Sequence, residues 1–369
     1  MTTSPSAGVP PTHIHVPSYG TLIRFAVPVM LAAIATPLMG MVDTAVLGRL
    51  DNPAIIAAAG IGSTIFTVIY WCFAFLRFTT TGLVAQAMGR GDPEEVILAG
   101  LRPMLAAVAG GLCLWLLKWP IAWVSLRLLT PPAEVLPLAR QYVDARIWSA
   151  PFTLLGYAQF AWLMGQGRAH TVMLLQIVMN ALNAGLALLF VLVLHWGIAG
   201  AAWATVTSEA CITLATTYLM LQSIPLARWR AALTHSIGGP AWRRLFSANL
   251  DIMIRTLLLT GCFALMTKRG AELGTMELAA NQILMQALLL TANLLDGFAT
   301  AAEVFGARAI GTGSRALLVH VVRRNAWLSL GWSMTMAAIL VLVGPTYFAA
   351  MTSNLSLQHE ASRDRKSVV

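Results

Sequence analysis

PVMLAAIATPLMGMVDTAVLGRL, residues 28–50, carries one charged side chain, Asp43, before the arginine that closes it at position 49. At about 1.5 Å per residue, a helix over such a stretch covers the roughly 30 Å hydrocarbon thickness of a bilayer. Nothing of opposite charge sits within one helical turn of Asp43. Whether a chain can tolerate that depends on the solvent around the segment, so the composition of the whole chain comes next.

The chain has 369 residues, of which 58% are hydrophobic and 11% charged, with a mean hydropathy of +0.73. Soluble domains carry about a quarter charged residues. Apolar runs long enough to span recur from residue 22 to residue 350. They are continuous, whereas an outer-membrane barrel shows short segments of alternating polarity. The fold class is an all-α polytopic membrane protein, with the lipid bilayer as its first partner. The net charge of +9 does not point to nucleic acid, because the basic residues gather at the ends of apolar runs.

Cys72, Cys113, Cys211 and Cys262 stand singly inside apolar runs, without CxxC or Cys/His spacing, so they are expected as small packing residues. No metal site is indicated. Residues 1–20 lack a basic region followed by a short apolar core and read as a flexible tail, with His13 and His15 solvated.

Reading apolar runs between polar breaks predicts nine helices, near 22–48, 54–88, 94–128, 138–165, 169–195, 198–224, 243–268, 274–310 and 316–350. The longest break divides six helices from three. The expected organisation is a tail (1–20), a six-helix bundle (21–224), a cytoplasmic linker (225–242), a three-helix bundle (243–350) and a polar tail (351–369). With the N-terminus inside, the inner connections hold Arg90, Arg102, Arg168, Arg228, Arg230, Arg243, Arg244, Arg308, Arg315, Arg323 and Arg324. The outer ones hold Arg49, Arg127, Arg140, Lys268 and Arg269. That excess places the N-terminus in the cytoplasm.

AQAMGRGD (85–92) aligns with ARAIGTGS (307–314) at an offset of 222 residues, and the same offset sets IAAAGI (56–61) on LAANQI (278–283). A six-helix unit repeated in parallel is a transporter-like plan, with a cavity between the halves. Two full units would end near residue 444, by simple doubling of about 222. The second half holds counterparts of the first three helices only, so the expectation is a chain lacking about three helices at its C-terminus.

Seven ionisable residues fall inside predicted spans: Asp43, Arg77, Glu209, Asp251, Arg255, Asp296 and Glu303. A charge at mid-bilayer costs about 2.5–3.5 kcal/mol on insertion scales, so each needs a partner, a wet cavity or a function. Asp251 and Arg255, four apart, form a structural pair on one helical face. Arg77 has Asp296 and Glu303 as candidate mates across helices. Glu209 is expected to bond to neighbouring backbone or hydroxyls. Asp43 lacks a mate, and a carboxyl of that kind can take up or release a proton as its surroundings alternate between dry and wet. The alternative is a protonated Asp43 hydrogen-bonded to a neighbouring helix. Pro28 and Pro37 permit bends in the first helix. Asn180 and Asn183 lie three apart on one face of the fifth helix, and Thr205 lies on the sixth.

The quoted first helix resembles that of the multidrug and toxic compound extrusion (MATE) transporters. FAFLRFTTTGLVAQAMGRGD (73–92), NLDIMIRT (249–256) and LLDGFATAAEVFGARAIG (294–311) are similar to the DNA-damage-inducible (DinF) branch of that family. The resemblance implies twelve helices in two bundles, about nine of them present here, around a central cavity in the cell (inner) membrane. It implies export of small lipophilic or cationic compounds against an inward ion flow. That ion is the proton, with sodium the alternative, and no cofactor or enzymatic step is involved. It places coupling on Asp43, a protonation-linked bend at Pro28, and a polar network at Asn183 and Thr205, with Asn180 beside them. Arg77, Glu209, Asp251, Arg255, Asp296 and Glu303 take structural or gating roles. Four residues after Asn183 the family often carries Asp, where this chain has Ala187, so Asp43 would work with neutral helpers only. The other readings are a non-transporting truncated product and a flippase for lipid-linked precursors. Oligomeric state is not legible.

Overall fold

The computed structural model describes residues 16–50, 52–236 and 275–351, together with the single positions 254, 258, 261, 262 and 265. Among them every regular element is helical. Helix α1 (Tyr19–Leu47) is N-capped by Ser18, whose Oγ accepts from Thr21 N at 3.1 Å, and it ends in a 3₁₀ turn at Gly48–Leu50. It runs unbroken through Pro28 and Pro37. Each proline lacks an N–H, so the carbonyls of Arg24 and Ala33 lose their helical donors, and the helix is softened there.

The predicted run 54–88 is two helices, α2 (Pro53–Trp71) and α3 (Phe75–Arg90). Between them the N–H groups of Cys72, Phe73 and Ala74 bond three residues back instead of four. This tighter winding stacks the rings of Phe73 and Phe75 at 6.3 Å, a pairing that residues two apart cannot make in an α-helix. The run 94–128 is likewise α4 (Pro93–Leu116) and α5 (Lys118–Leu129). Pro120 would clash with the Leu116 carbonyl in a continuous helix, and the chain turns at Leu117. Run 138–165 becomes α6 (Leu136–Arg146), a 3₁₀ turn (Ile147–Ser149) and α7 (Ala150–Gly165), with Pro151 disfavouring a regular turn before it.

Helix α8 (Ala169–Ala187) passes into a π turn at Leu188–Val193, and α9 (Gly197–Ser223) and α10 (Leu226–Ser236) follow. The two long runs of the second half are single helices, α11 (Thr275–Gly311) and α12 (Arg315–Met351). The predicted helix 243–268, with Asp251 and Arg255, lies outside the described residues. Five stretches among the described residues are long and apolar enough to cross a membrane: Tyr19–Leu50, Pro53–Arg90, Pro93–Leu116, Ala169–Val193 and Gly197–Ser223. The cysteines are not packing residues. All four are free thiols on the exposed surface.

One end of the molecule gathers the start of α1 and the turns after α3, α7 and α11. Arg324 Nη1 donates to the Pro17 carbonyl at 2.8 Å, and Arg308 Nη2 to the Gly165 carbonyl at 3.3 Å. The 222-residue repeat reappears here in the turns and helix caps. Gly91 and its counterpart Gly313 both take positive φ, 69° and 71°, at the ends of α3 and α11. Asp92 caps α4, accepting from Glu94 N and Glu95 N, and its counterpart Ser314 caps α12, accepting from Leu317 N.

Where the two copies meet, α3 and α11 touch backbone to backbone. A Cβ on Gly89 would strike the Arg308 carbonyl, and a Cβ on its counterpart Gly311 would strike the Gln86 carbonyl. Gln86 and Arg308 are themselves counterparts, so the contact is two-fold symmetric. Further along α11, a Cβ on Gly297 would meet the Ala26 carbonyl and the Met30 side chain of α1. Replacing Gly311 by Val is expected to destabilise the protein by about 1–3 kcal/mol through overpacking. Thermal unfolding in detergent checks this, with the exposed Gly313 turn left intact as the internal reference.

Candidate functional site

Asp43 sits in the second half of α1, half-buried, beside α8 and α9. Asn183 of α8 is fully buried and Thr205 of α9 is 5% exposed. Asn183 reaches both neighbours, and one orientation of its amide satisfies them together. With Nδ2 toward α1, it donates to Asp43 Oδ1 at 3.0 Å, while Oδ1 accepts from Thr205 Oγ1 at 3.0 Å and Thr205 N at 3.2 Å. An ionised carboxylate only accepts, so this orientation satisfies it. Turned over, Nδ2 would face the Thr205 N–H as well as Oγ1, and Oδ1 would face the Asp43 carboxylate, so the first orientation is the one the surroundings select. Among the described residues no Lys, Arg or His nitrogen lies within ion-pair distance of Asp43.

Asn180 is not part of this chain. Its Oδ1 accepts from Gln176 Nε2 at 3.3 Å, one turn back on the same helix. Ala187, where a second carboxylate was in question, is fully buried among Val46, Leu47, Val191, Ala201 and Ala204. A packed methyl holds that place, and the cluster seals α1 against α8 and α9 on one side of Asp43.

One turn further along α9 lies a second polar layer. Glu209 does more than bond to nearby hydroxyls: Arg146 clamps it, Nη2 to Oε1 at 2.8 Å and Nη1 to Oε2 at 3.3 Å. Thr153 Oγ1 donates to Oε2, and Arg146 Nη1 also meets Ser149 Oγ. Tyr70 OH joins Ser149 Oγ at 3.1 Å, and the guanidinium lies 5.5 Å from the Phe66 ring centre and 5.8 Å from that of Tyr70. The layer therefore ties α2, α6, α7 and α9 together. Arg146 is an intramembrane charge that the sequence reading did not single out, although it lies within the predicted 138–165 run. The 3₁₀ turn at Ile147–Ser149 brings Ser149 round to it.

Between the halves, Arg77 of α3 has Asp296 and Glu303 of α11 within electrostatic reach, but no ion pair closes. Glu303 Oε1 lies against α3 at Gly82, and the Arg77 guanidinium stands 5.9 Å from the Phe78 ring centre. Among the described residues no group of His, Cys, Asp and Glu could hold a metal ion.

Long apolar helices around a buried polar column, in two halves related by an internal repeat, define an integral membrane protein with the two-bundle architecture of a transporter. The MatE family model matches residues 28–189 and 252–363, and the chain belongs to that family. It is 35% identical over 346 residues to the DNA damage-inducible protein F of Escherichia coli K12, covering 93% of this chain and 74% of that protein. It is 30% identical over 366 residues to a probable multidrug resistance protein NorM of Deinococcus radiodurans, covering 94% and 75%. In fold it superposes with TM-score 0.83, at 20% identity, on a multidrug resistance MATE family transporter solved in an outward-facing conformation, over 94% of this chain and 77% of that one.

Removing one member of the buried ion pair leaves the other charge stranded, which costs about 3–5 kcal/mol. Arg146→Met is expected to lower the unfolding midpoint in detergent markedly, and Arg146→Met combined with Glu209→Met to recover much of the loss. A double variant as unstable as the sum of its parts would show that the two groups do not act as a pair.

Proposed function

We propose that this chain exports lipophilic or cationic organic compounds across the cell membrane by antiport against protons, with Asp43 as the coupling group. The observation that carries the reading is the Asp43–Asn183–Thr205 chain of bonds: a carboxylate held by an amide and closing no ion pair, with Arg146 of the next layer within electrostatic reach. Ionised Asp43 accepts from Asn183 Nδ2. Protonated Asp43 loses its charge but keeps a carbonyl oxygen that still accepts from Asn183 Nδ2, in a weaker bond. Protonation thereby loosens the tie between α1 and α8.

Helix α1 is the element that would transmit the change. It contacts α8 through Asn183 and α11 at Gly297, beside Ala26 and Met30, within a turn of the softened helix at Pro28. A proton on Asp43 would bias the pose of α1, and with it the cavity between the halves. A compound held only by the deprotonated arrangement would be released as the proton enters. The arginine-rich end that holds Pro17, Arg308 and Arg324 is assigned to the cytoplasm. The two-fold Gly89–Gly311 contact closes that end, which supports a cavity open to the other side. The bundle boundaries proposed from the sequence, 21–224 and 243–350, are the two bodies that rock against each other.

Proteoliposomes carrying the native chain or Asp43→Asn, given an inward proton gradient, test the reading by movement of ethidium. The native chain is expected to move ethidium and the variant to lose proton-driven movement. Equal transport by both overturns the role of Asp43. Transport that follows an imposed sodium gradient instead overturns the choice of ion, and no transport under either gradient favours the non-transporting alternative.

A further inference from the structure

The end of the molecule remote from the N-terminus carries a feature that coupling and transport do not use. Helix α4, with 24 residues, already suffices to cross the bilayer. Helix α5 begins at the Leu117 turn and has 12 residues, too few to cross again. Its inner side buries Ala122 and Leu126. The outer side is apolar and uncovered: Trp119 is 63% exposed, Trp123 62% and Leu128 78%. Such a helix is unsuited to open water, and its cations are unsuited to the hydrocarbon core. The membrane–water interface suits both, with indole rings at headgroup level.

The cations of this region stand on the rings. Lys118 Nζ lies 5.5 Å from the Trp148 ring centre, the Arg127 guanidinium 5.1 Å from that of Trp123, and the Arg140 guanidinium 5.6 Å from that of Trp119. Arg140 has a loose, exposed contact with Asp144 at 3.8 Å. Lys118 and Arg127 have no carboxylate within ion-pair distance among the described residues. Trp148 continues the aromatic wall inward, 4.8 Å from Trp115 and 6.5 Å from Trp203. An open groove between α6 and α9, lined by Arg140, Gln141, Asp144 and Trp203, adjoins it.

We propose that α5 and the start of α6 form a clasp for an anionic phospholipid, with Lys118, Arg127 and Arg140 on the headgroup phosphate and Trp119 and Trp123 among the upper acyl carbons. Two cations without carboxylate partners, held on aromatic faces at the level where lipid phosphates lie, leave their N–H donors for an anion from outside the chain. The apolar rings beside them select an amphiphile over a free ion. A zwitterionic headgroup brings its own cation into the same space and is disfavoured.

The test uses the full chain in detergent, with native mass spectrometry counting retained lipid and a thermal midpoint read in parallel. The probes are dioleoylphosphatidylglycerol, dioleoylphosphatidylcholine and glycerol phosphate. The native chain is expected to retain phosphatidylglycerol about 10–30-fold better than phosphatidylcholine, the preference that two interfacial cations confer. Lys118→Gln combined with Arg127→Gln should reduce that preference to what Arg140 alone confers, about fivefold or less, whereas Lys118→Arg with Arg127→Lys keeps it. Arg127 is exposed and Lys118 half-buried, and the charge-keeping pair guards against a folding defect. An unchanged preference in the Gln pair overturns the clasp. Stabilisation by glycerol phosphate as strong as that by the lipid overturns the lipid as occupant, and leaves a site for phosphate alone.

Discussion

The close seating of α11 on α3 and α1 is the contact on which the relation between the two halves depends. It requires backbone to lie against backbone at three places, and glycine stands at each: Gly89, Gly311 and Gly297. In lipid there is no hydrophobic force between apolar helices, so association rests on close packing, and small residues allow it. Two of the three glycines are counterparts in the sequence repeat. The repeat is therefore an interface as well as a duplication, because each copy supplies the glycine that the other's carbonyl occupies.

A second constraint acts inside the first half. Polar groups buried in a membrane protein must be satisfied within the protein. Helix α9 meets that requirement in two successive turns, with Thr205 facing Asn183 and Asp43, and Glu209 facing Arg146, Thr153 and Ser149. The layers differ in kind. Glu209 is matched by a charge, and its surroundings from four elements hold it in place. Asp43 closes no ion pair and is held by the Asn183 amide. A neutralised pair makes a brace, and the carboxyl without an ion pair is the group proposed for coupling. Ala187, packed as a methyl in an apolar cluster, leaves that layer with one carboxylate.

Legibility followed the physics of each signal. Long apolar runs announced α1, α8, α9, α11 and α12, because a span must be apolar over its whole length. Breaks at residues 72–74 and 117 were missed because apolarity continues through them. Pro120 and Pro151 carried the information for two of the departures from regular helix, and the ring stacking of Phe73 on Phe75 accompanied the third. Asp43, Asn183 and Thr205 were readable from residue type and family resemblance. Arg146 was passed over since it lies near the start of its run, where an arginine ordinarily faces the membrane surface. Asn180 shares a helix face with Asn183, yet three residues of separation turn it enough to bond Gln176 instead. The cysteines were misjudged because, in a bilayer, the outside of the protein is as apolar as its interior, and composition cannot tell the two apart.

By itself the sequence determined the solvent of this protein, the helical class, the duplicated plan and an intramembrane carboxylate, Asp43, without a basic neighbour within one turn. These are properties of composition, run length and spacing, which need no third dimension. The tertiary structure alone decided which charges meet: Arg146 with Glu209, 63 residues apart, while Arg77 closes no pair with Asp296 or Glu303. It also decided that the repeated glycines face each other, and that the cations of α5 and α6 rest on indole rings at the far end of the molecule. Such contacts depend on helix crossing and rotation, which are set by the packing of small residues across the interface and not by any single helix's own sequence.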